Sequence, residues 1–133
     1  MTFEMGLQHV SFEGYLANPQ PFYDKASILC LTSSFEGWGL VLTEAQANAV
    51  IPMAFNSFDA ADTIISTSEE GILISPFNEL SYAHELIELA KNEARRSVMQ
   101  KAVVKKAKEY SISHTRKAWE QMLQDCFNKK IVP

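Results

Sequence analysis

The sequence contains few of the residues that build disulfide-linked or metal-bound folds. It has two cysteines, Cys30 and Cys126, among 133 residues, which is too few for a secreted disulfide scaffold. Cys30 lies in an apolar run and Cys126 in a helical stretch, so we expect buried or partly buried thiols in a reducing compartment. The three histidines, His9, His84 and His114, are far apart and lack the spacing of metal ligands. A metal site is therefore not expected.

Long apolar runs and a basic surplus are also missing. No segment approaches the roughly 18 apolar residues that a membrane-spanning helix needs. Residues 1–9 show neither a basic stretch nor an apolar signal core. The net charge is -4, whereas a dedicated nucleic-acid-binding domain usually carries a basic surplus. We predict a cytoplasmic protein that binds no nucleic acid.

The composition that remains is that of a globular protein. Apolar residues make up 47% of the chain and charged residues 21%, so a real core can form and disorder is not expected. The length fits one domain of ordinary size.

Short strand patterns alternate with helical patterns along the chain. The segment 9–13 alternates polar and apolar residues before Gly14, and three later runs are typical of strands covered on both faces. The predicted strands are residues 9–13, 27–32, 50–55 and 71–74. The predicted helices are residues 21–26, 40–49, a stretch after residue 78, residues 94–110 and a last stretch after residue 113.

The caps and the last apolar stripe complete this interpretation. Asn78 and Ser113 are the predicted N-caps of two C-terminal helices. We expect the stripe of the last helix to pack first against this domain, with part of it exposed. That stripe consists of Ala118, Trp119, Met122, Leu123, Cys126 and Phe127.

Strands separated by helices predict the fold class α/β, with a Rossmann-like parallel sheet and helices on both faces. About four strands are fewer than a complete doubly wound domain has. No internal repeat or linker marks a second domain within residues 1–133.

The most informative stretch surrounds two glutamates. Glu36 follows a strand, a Gly37-Trp38-Gly39 turn comes next, and a helix from Leu40 contains Glu44. Open α/β sheets bind ligands at the carboxyl ends of their strands. A helix beginning near Gly39 points free N–H groups and a positive dipole end into that crevice. Glycines there let an anion approach the backbone, so the pattern outlines a diphosphate site.

Each glutamate taken alone has an ordinary explanation, which is a solvated carboxylate favoured by the helix dipole. Taken together with the two glycines, the pattern favours a site. Glu36 is then placed to accept hydrogen bonds from sugar hydroxyls, and Glu44 from ribose hydroxyls.

The stretch resembles the retaining glycosyltransferases of the GT-B fold, whose signature is a Glu, seven residues and a second Glu. Glu36 and Glu44 have that spacing, and Gly37-Trp38-Gly39 stands where the family has Gly-aromatic-Gly. The resemblance covers nearly all of the chain. The other matching segments are residues 10–15, 22–28, 51–57 and 70–76.

The resemblance implies the donor-binding, C-terminal half of a two-domain enzyme of polysaccharide or lipopolysaccharide biosynthesis. It also implies that Glu36 is the catalytic residue. Glu36 would hold the donor sugar of a nucleotide sugar, for example a UDP- or GDP-sugar, together with the amides of Gly37, Trp38, Gly39 and Leu40. Glu44 would hold the ribose, and a loop at Tyr15 and Leu16 the base. The resemblance implies metal independence, no cofactor beyond the nucleotide sugar, and a saccharide or lipid-linked acceptor bound by a missing domain.

Parts of the family pattern are absent from this sequence. The acceptor domain and the first strand-helix units, with the basic clamp for the diphosphate, do not occur in it. We therefore expect residues 1–133 alone to transfer no sugar. The strands at Val10 and Ile28 would have open edges, so either the first lies beside the second or two copies exchange strands. Ala49 stands where the family commonly has Gly.

Other interpretations stay open. The rivals are a non-catalytic α/β interaction module and a nucleotide-sensing module. Asn56, Ser57 and Asp59 follow a strand end and are further candidates for facing the donor. A basic cluster on one helix is interpreted first as a solvated face, with peripheral contact to the inner face of a membrane as the alternative. The cluster consists of Arg95, Arg96, Lys101, Lys105, Lys106 and Lys108.

Overall fold

The computed structural model describes residues 6–130, with side chains described as far as Asn128. Three short strands alternate with helices, and three longer helices follow. The strands are β1 (Ile28–Leu31), β2 (Ile51–Phe55) and β3 (Ile72–Ile74). The helices are α1 (Gln20–Tyr23), α2 (Leu40–Ala47), α3 (Ala61–Ile64), α4 (Glu79–Lys91), α5 (Glu93–Ala107), a 3-10 turn (Lys108–Tyr110) and α6 (Ile112–Lys130).

The sheet is parallel throughout and has the order β1-β2-β3. β2 is the central strand, and all five of its residues are buried. Its unbroken apolar sequence reflects this position, because a strand with helices on both faces has no solvent side. Pro52 is the second residue of β2, near the strand start, where a missing N–H disturbs the sheet least.

Helices cover both faces of the sheet, as the sequence predicts. On one face Tyr82 and Leu89 of α4 and Met99 of α5 pack against β2 and β3. On the other face Leu42 of α2 packs with residues of the β2–α3 segment and α3. The carboxyl ends of all three parallel strands therefore open at one edge of the sheet.

Asparagine side chains start two of the long helices. Asn78 accepts a hydrogen bond from the amide of Ser81 at the start of α4, as predicted. Asn92 accepts one from the amide of Arg95 at the start of α5. The predicted cap of α6 was wrong by two residues. The helix begins at Ile112, and the hydroxyl of Ser111 accepts a hydrogen bond from the amide of His114.

The predicted strand at residues 9–13 is wrong, so the described sheet has three strands rather than about four. Every residue of this segment is exposed, including Val10 and Phe12. Ser11 instead donates a local hydrogen bond to Glu13. Alternation fits a half-buried strand, but it supplies no neighbouring strand with which to pair. The first strand accordingly does not lie beside the strand at Ile28 in this chain.

Two expectations about burial are also wrong. The apolar stripe of α6 is exposed, with Trp119 at 58% and Phe127 at 67%, so it does not pack first against this domain. Both cysteines are exposed as well. Cys30 lies on β1, the edge strand of the described sheet, and Cys126 lies on α6. An apolar pattern predicts which face of a helix or strand is apolar, but not whether another part of the chain packs against that face.

Candidate functional site

A cleft of about 580 Å³ opens at the carboxyl edge of the sheet. Its walls come from the segments that follow all three strands, which is where open α/β sheets bind ligands. The lining residues are Ser34 after β1, Asn56, Ser57, Phe58, Asp59 and Asp62 after β2, and Pro76 and Phe77 after β3. Asn56, Ser57 and Asp59 therefore face the cleft, as their position after a strand suggested.

Hydrogen bonds fix the walls of this cleft to one another. The Ser57 hydroxyl donates to the carbonyl oxygen of Ser33 at 2.8 Å, which joins the segments after β1 and β2. The amide of Asn56 donates to the carbonyl oxygen of Ile74 at 2.8 Å, which joins the segments after β2 and β3. The cleft is thus bounded by backbone that the fold holds in place.

The turn before α2 depends on Gly39. Its backbone is left-handed, with φ 77° and ψ 48°, and it is the N-cap residue of α2. A Cβ at this position would lie 3.1 Å from the ring of Phe58. Gly39 is also buried. The left-handed turn and the close contact with Phe58 explain why this position is a glycine. The prediction that it leaves room for an anion is not needed to account for it.

Gly37 is different, because it is exposed and a Cβ there would meet nothing within 4 Å. No side-chain hydrogen bond caps the start of α2 among the described residues, and Leu40 at its first position is exposed. Free amides at a helix start carry the positive end of the dipole and suit an anion. Glu36, half-buried, precedes this turn.

Tyr23 orients Glu44. The Tyr23 hydroxyl, on α1, donates a hydrogen bond of 2.9 Å to Oε2 of Glu44, on α2. Burial, and then the hydrogen bond and charge of Glu44, raise the pKa of Tyr23 to about 12. Sequence reasoning missed Tyr23 as a site residue. Its place in a segment that matches the family was the available signal, but no spacing rule links it to Glu44.

The predicted base-contacting loop does not reach the cleft in this structure. Tyr15 is 94% exposed and so makes almost no contact with the described chain, and Leu16 is exposed too. The structure brings Glu36, the glycine turn and Glu44 onto one loop and helix. Contact of Tyr15 and Leu16 with a base stays a prediction.

Aromatic residues support the glycine turn from the C-terminal side. The rings of Trp38 and Tyr110 meet edge to face, with centroids 5.8 Å apart and an interplanar angle of 76°. The Tyr110 hydroxyl donates a hydrogen bond of 2.9 Å to the carbonyl oxygen of Thr63 on α3. Nothing in the sequence pattern predicted this contact, because the two aromatic residues are 72 positions apart.

The basic cluster on α5 is partly used inside the fold. Arg95 pairs with Glu85 at 3.3 Å. Arg96 donates to the carbonyl oxygens of Leu89 and Ala90 at the end of α4. Lys106 is buried and bonds Glu109. Within the part of the chain that the structure describes, three of the six cations have intramolecular partners, and the exposed Lys101, Lys105 and Lys108 fit a solvated face.

Two properties of the described residues concern ligands and membranes. In residues 6–130 no three side chains of His, Cys, Asp or Glu gather as a metal site would require. None of the helices described here is both long and apolar enough to cross a bilayer.

Most of the sequence matches a known family. The profile of the family "Glycosyl transferases group 1" matches residues 3–109, which include the cleft, the glycine turn and both glutamates. The chain belongs to the group 1 glycosyltransferases. This confirms the resemblance that the two glutamates and the flanking segments suggested.

Curated relatives of this glycosyltransferase chain are bacterial. One is the GalNAc-alpha-(1->4)-GalNAc-alpha-(1->3)-diNAcBac-PP-undecaprenol alpha-1,4-N-acetyl-D-galactosaminyltransferase of Campylobacter jejuni, 27% identical over 119 residues. Another is the poly(glycerol-phosphate) alpha-glucosyltransferase of Bacillus subtilis, 26% identical over 123 residues. The match covers 90% and 92% of this chain but 33% and 18% of those proteins. The group 1 chain thus spans a third or less of each relative.

Solved structures show the same fold. TarM matches 82% of this group 1 chain with a TM-score of 0.74 and 23% identity, and the GtfA/B complex matches 93% with a TM-score of 0.76 and 20% identity. The match takes up 22% and 26% of those chains. They support the α/β arrangement of a parallel sheet between helices that the sequence predicted.

Proposed function

We propose that this chain is the nucleotide-sugar-binding part of a retaining glycosyltransferase that transfers a sugar to a saccharide or lipid-linked acceptor. The observation that carries the proposal is the uncapped start of α2 after Gly37-Trp38-Gly39, between Glu36 and Glu44, in a chain of the group 1 family. An open helix start, two carboxylates and a cleft at the strand ends suit an anionic, hydroxyl-rich ligand.

The groups divide the donor between them in this proposal. The amides of Gly37, Trp38, Gly39 and Leu40 contact the donor sugar and its diphosphate, whose negative charge the helix dipole stabilises as the sugar departs. Glu36 is the catalytic candidate and accepts hydrogen bonds from the donor sugar. No metal takes part, because the helix end, together with basic side chains from a part of the protein outside this chain, balances the diphosphate charge.

The second carboxylate acts on the nucleoside side. Glu44, held by Tyr23, accepts hydrogen bonds from the ribose, and Tyr15 and Leu16 contact the base. Since Tyr15 is exposed here, we expect its loop to move when the nucleotide binds. The base is that of a UDP- or GDP-sugar.

The acceptor belongs to the part of the protein that this chain does not include. The relatives act, by their names, on an undecaprenol-linked saccharide and on poly(glycerol-phosphate). We therefore propose a saccharide or lipid-linked acceptor in bacterial glycan synthesis, with the enzyme in the cytoplasm, peripheral at the inner face of the membrane. Residues 1–133 alone transfer no sugar.

Calorimetric titration of the chain with UDP and with GDP tests the donor site. We expect one of the two to bind. Glu44→Gln should weaken that nucleotide about tenfold, since a charge-assisted hydrogen bond is lost. Glu88→Gln, an exposed change of the same kind on α4, should leave the affinity unchanged.

A transfer assay separates the remaining alternatives. With a radiolabelled nucleotide sugar, residues 1–133 should show no transfer, whereas a longer protein that contains them should transfer sugar and lose activity on Glu36→Gln. If neither nucleotide binds, the chain is an interaction module and the proposal is wrong. Nucleotide binding without transfer by the longer protein would instead identify a sensor.

A further inference from the structure

Tyr110 contacts both the glycine turn and α3, the helix that carries Asp62 of the cleft lining. Its ring packs edge to face on Trp38, the middle residue of the glycine turn. Its hydroxyl is bonded to the carbonyl oxygen of Thr63 at 2.9 Å. Thr63 lies on α3, directly after the segment that carries Asp59 and Asp62 on the cleft wall. One side chain thus joins the segments that follow β1 and β2.

Tyr110 is itself held in place by its neighbours. The ammonium group of Lys106 lies 5.8 Å from the centroid of the Tyr110 ring. That group also donates to Glu109 at 2.8 Å and to the hydroxyl of Ser66 at 3.2 Å. Because Lys106 is almost fully buried, the tyrosine packs against a fixed cation and not a mobile surface chain.

The turn that Tyr110 contacts needs such a support. Gly37 and Gly39 flank Trp38, and glycine has the greatest conformational freedom to lose when a turn is ordered. A Cβ at Gly37 would meet nothing within 4 Å, so the described chain gives little packing on that side. Affinity for a ligand rises when the binding backbone is ordered in advance.

We propose that Tyr110 is a positioning residue, whose contacts with Trp38 and Thr63 hold the glycine turn and α3 in the arrangement that receives the nucleotide diphosphate. The part that concerns the nucleotide rests on the proposed function. Tyr110 touches no ligand in this proposal and acts through Trp38. Four helices in the sequence, α2 to α5, separate it from the turn that it supports.

Fluorescence of Trp38 tests the positioning role without a ligand. The chain has two tryptophans, Trp38 and Trp119, so Trp119→Phe leaves Trp38 as the single reporter. In that background Tyr110→Leu should shift the Trp38 emission to longer wavelength and increase its quenching by acrylamide. Tyr110→Phe retains the ring and should leave both properties close to those of the parent.

Nucleotide titration then tests the consequence. With UDP or GDP as the probe, Tyr110→Leu should weaken binding about tenfold, since both an aromatic pair and a hydrogen bond are lost. Tyr110→Phe should stay within about threefold of the parent, because the ring contact remains. Val103→Ala, a buried truncation on α5, the helix before the 3-10 turn that contains Tyr110, is the matched control that lowers stability while Tyr110 is retained.

The outcomes distinguish this inference from the proposed function. Unchanged Trp38 emission and quenching in folded Tyr110→Leu would overturn the positioning role, whether or not a nucleotide binds. An equal loss of affinity in Val103→Ala would overturn it too, because it would trace the loss to general destabilisation. If the parent binds neither UDP nor GDP, the proposed function fails, while the fluorescence result still decides the role of Tyr110.

Discussion

The Tyr23 hydroxyl donates a 2.9 Å hydrogen bond to Oε2 of Glu44, across the gap between α1 and α2. This contact leaves Oε1 of Glu44 as the oxygen not used by Tyr23. Burial of the Tyr23 hydroxyl, and then its hydrogen bond to Glu44 and the charge of that carboxylate, raise the pKa of Tyr23 from 10.0 to about 12. The contact between Tyr23 and Glu44 can therefore be detected without a ligand, through the pKa of Tyr23.

Spectrophotometric titration of the tyrosines should detect this pair. The folded pKa of Tyr23 is raised, so the stability that its protonated form contributes is complete below pH 10 and is lost as the pH rises through about 12. Glu44→Gln should move one phenolate transition to lower pH, and Tyr23→Phe should remove that transition. Glu88→Gln serves as the control. A transition that does not move in Glu44→Gln would show that the carboxylate does not hold Tyr23.

Two glycine substitutions should have very different effects on the free energy of unfolding. A Cβ at Gly71 would lie 2.7 Å from the carbonyl oxygen of Pro52, a backbone atom of the central strand, and φ there is 152°. Gly71→Ala should therefore lower the free energy of unfolding by about 2–4 kcal/mol, since the strand cannot move aside. Gly37→Ala should change it by less than about 0.5 kcal/mol, because the site is open.

Denaturant unfolding of both variants measures this difference. Under the proposed function Gly37→Ala keeps its stability but binds UDP or GDP more weakly, because the new methyl group stands where the diphosphate approaches. Equal stability losses in the two variants would contradict the packing described for Gly71.

Ala49 is an alanine in a conformation suited to glycine. It follows the last turn of α2 with φ 59°. The amide of Val50 donates to the carbonyl oxygen of Ala45 at 2.9 Å, and the amide of Ala49 donates to that of Gln46 at 3.2 Å. These are the two hydrogen bonds of a Schellman motif, whose left-handed position is usually glycine. The family's preference for Gly at this position thus has a backbone cause.

Ala49→Gly should raise the free energy of unfolding by about 0.5–1 kcal/mol, since relief of left-handed strain exceeds the added freedom of the unfolded chain. The matched control is Ala47→Gly, an exposed position in the last turn of α2 with helical backbone. It should lower stability by about 0.5–1 kcal/mol. Thermal unfolding of both variants gives the comparison, and a loss of stability in Ala49→Gly would contradict the strain argument.

The sequence predicts the parts of this fold whose pattern is local. The apolar runs of β1, β2 and β3 have the composition of strands in a layered α/β sheet, and Asn78 has the position of a cap. The two glutamates and the glycine turn have a fixed spacing, so they could be recognised as a unit.

The remaining features depend on partners that a local pattern cannot specify. Residues 9–13 alternate like a strand, yet no described strand lies beside them. The stripe with Trp119 is amphipathic, but whether it is covered depends on neighbouring surface. The contacts of Tyr23 with Glu44 and of Tyr110 with Trp38 join residues far apart in sequence, so no periodicity could find them.

Glu70 makes the stability of the chain depend on acid pH. Burial alone would raise its pKa, but hydrogen bonds from the side chain and backbone of Ser66 and the charge of Lys106 outweigh that effect. The pKa of Glu70 therefore lies below its ordinary value of 4.5. A lowered pKa means that the charged form stabilises the fold, fully above pH 4.5 and progressively less as the pH falls through the lowered value.

The test is the difference in melting temperature between the wild type and Glu70→Gln. It should favour the wild type near neutral pH and shrink as the pH falls below 4.5, because protonation then removes the charge that the substitution removes. Glu69→Gln, an exposed neighbour of the same charge, reports the general effect of losing one carboxylate. A difference that stays constant down to pH 3 would show that the shape of the Glu70 side chain, and not its charge, holds Ser66 and Lys106 together.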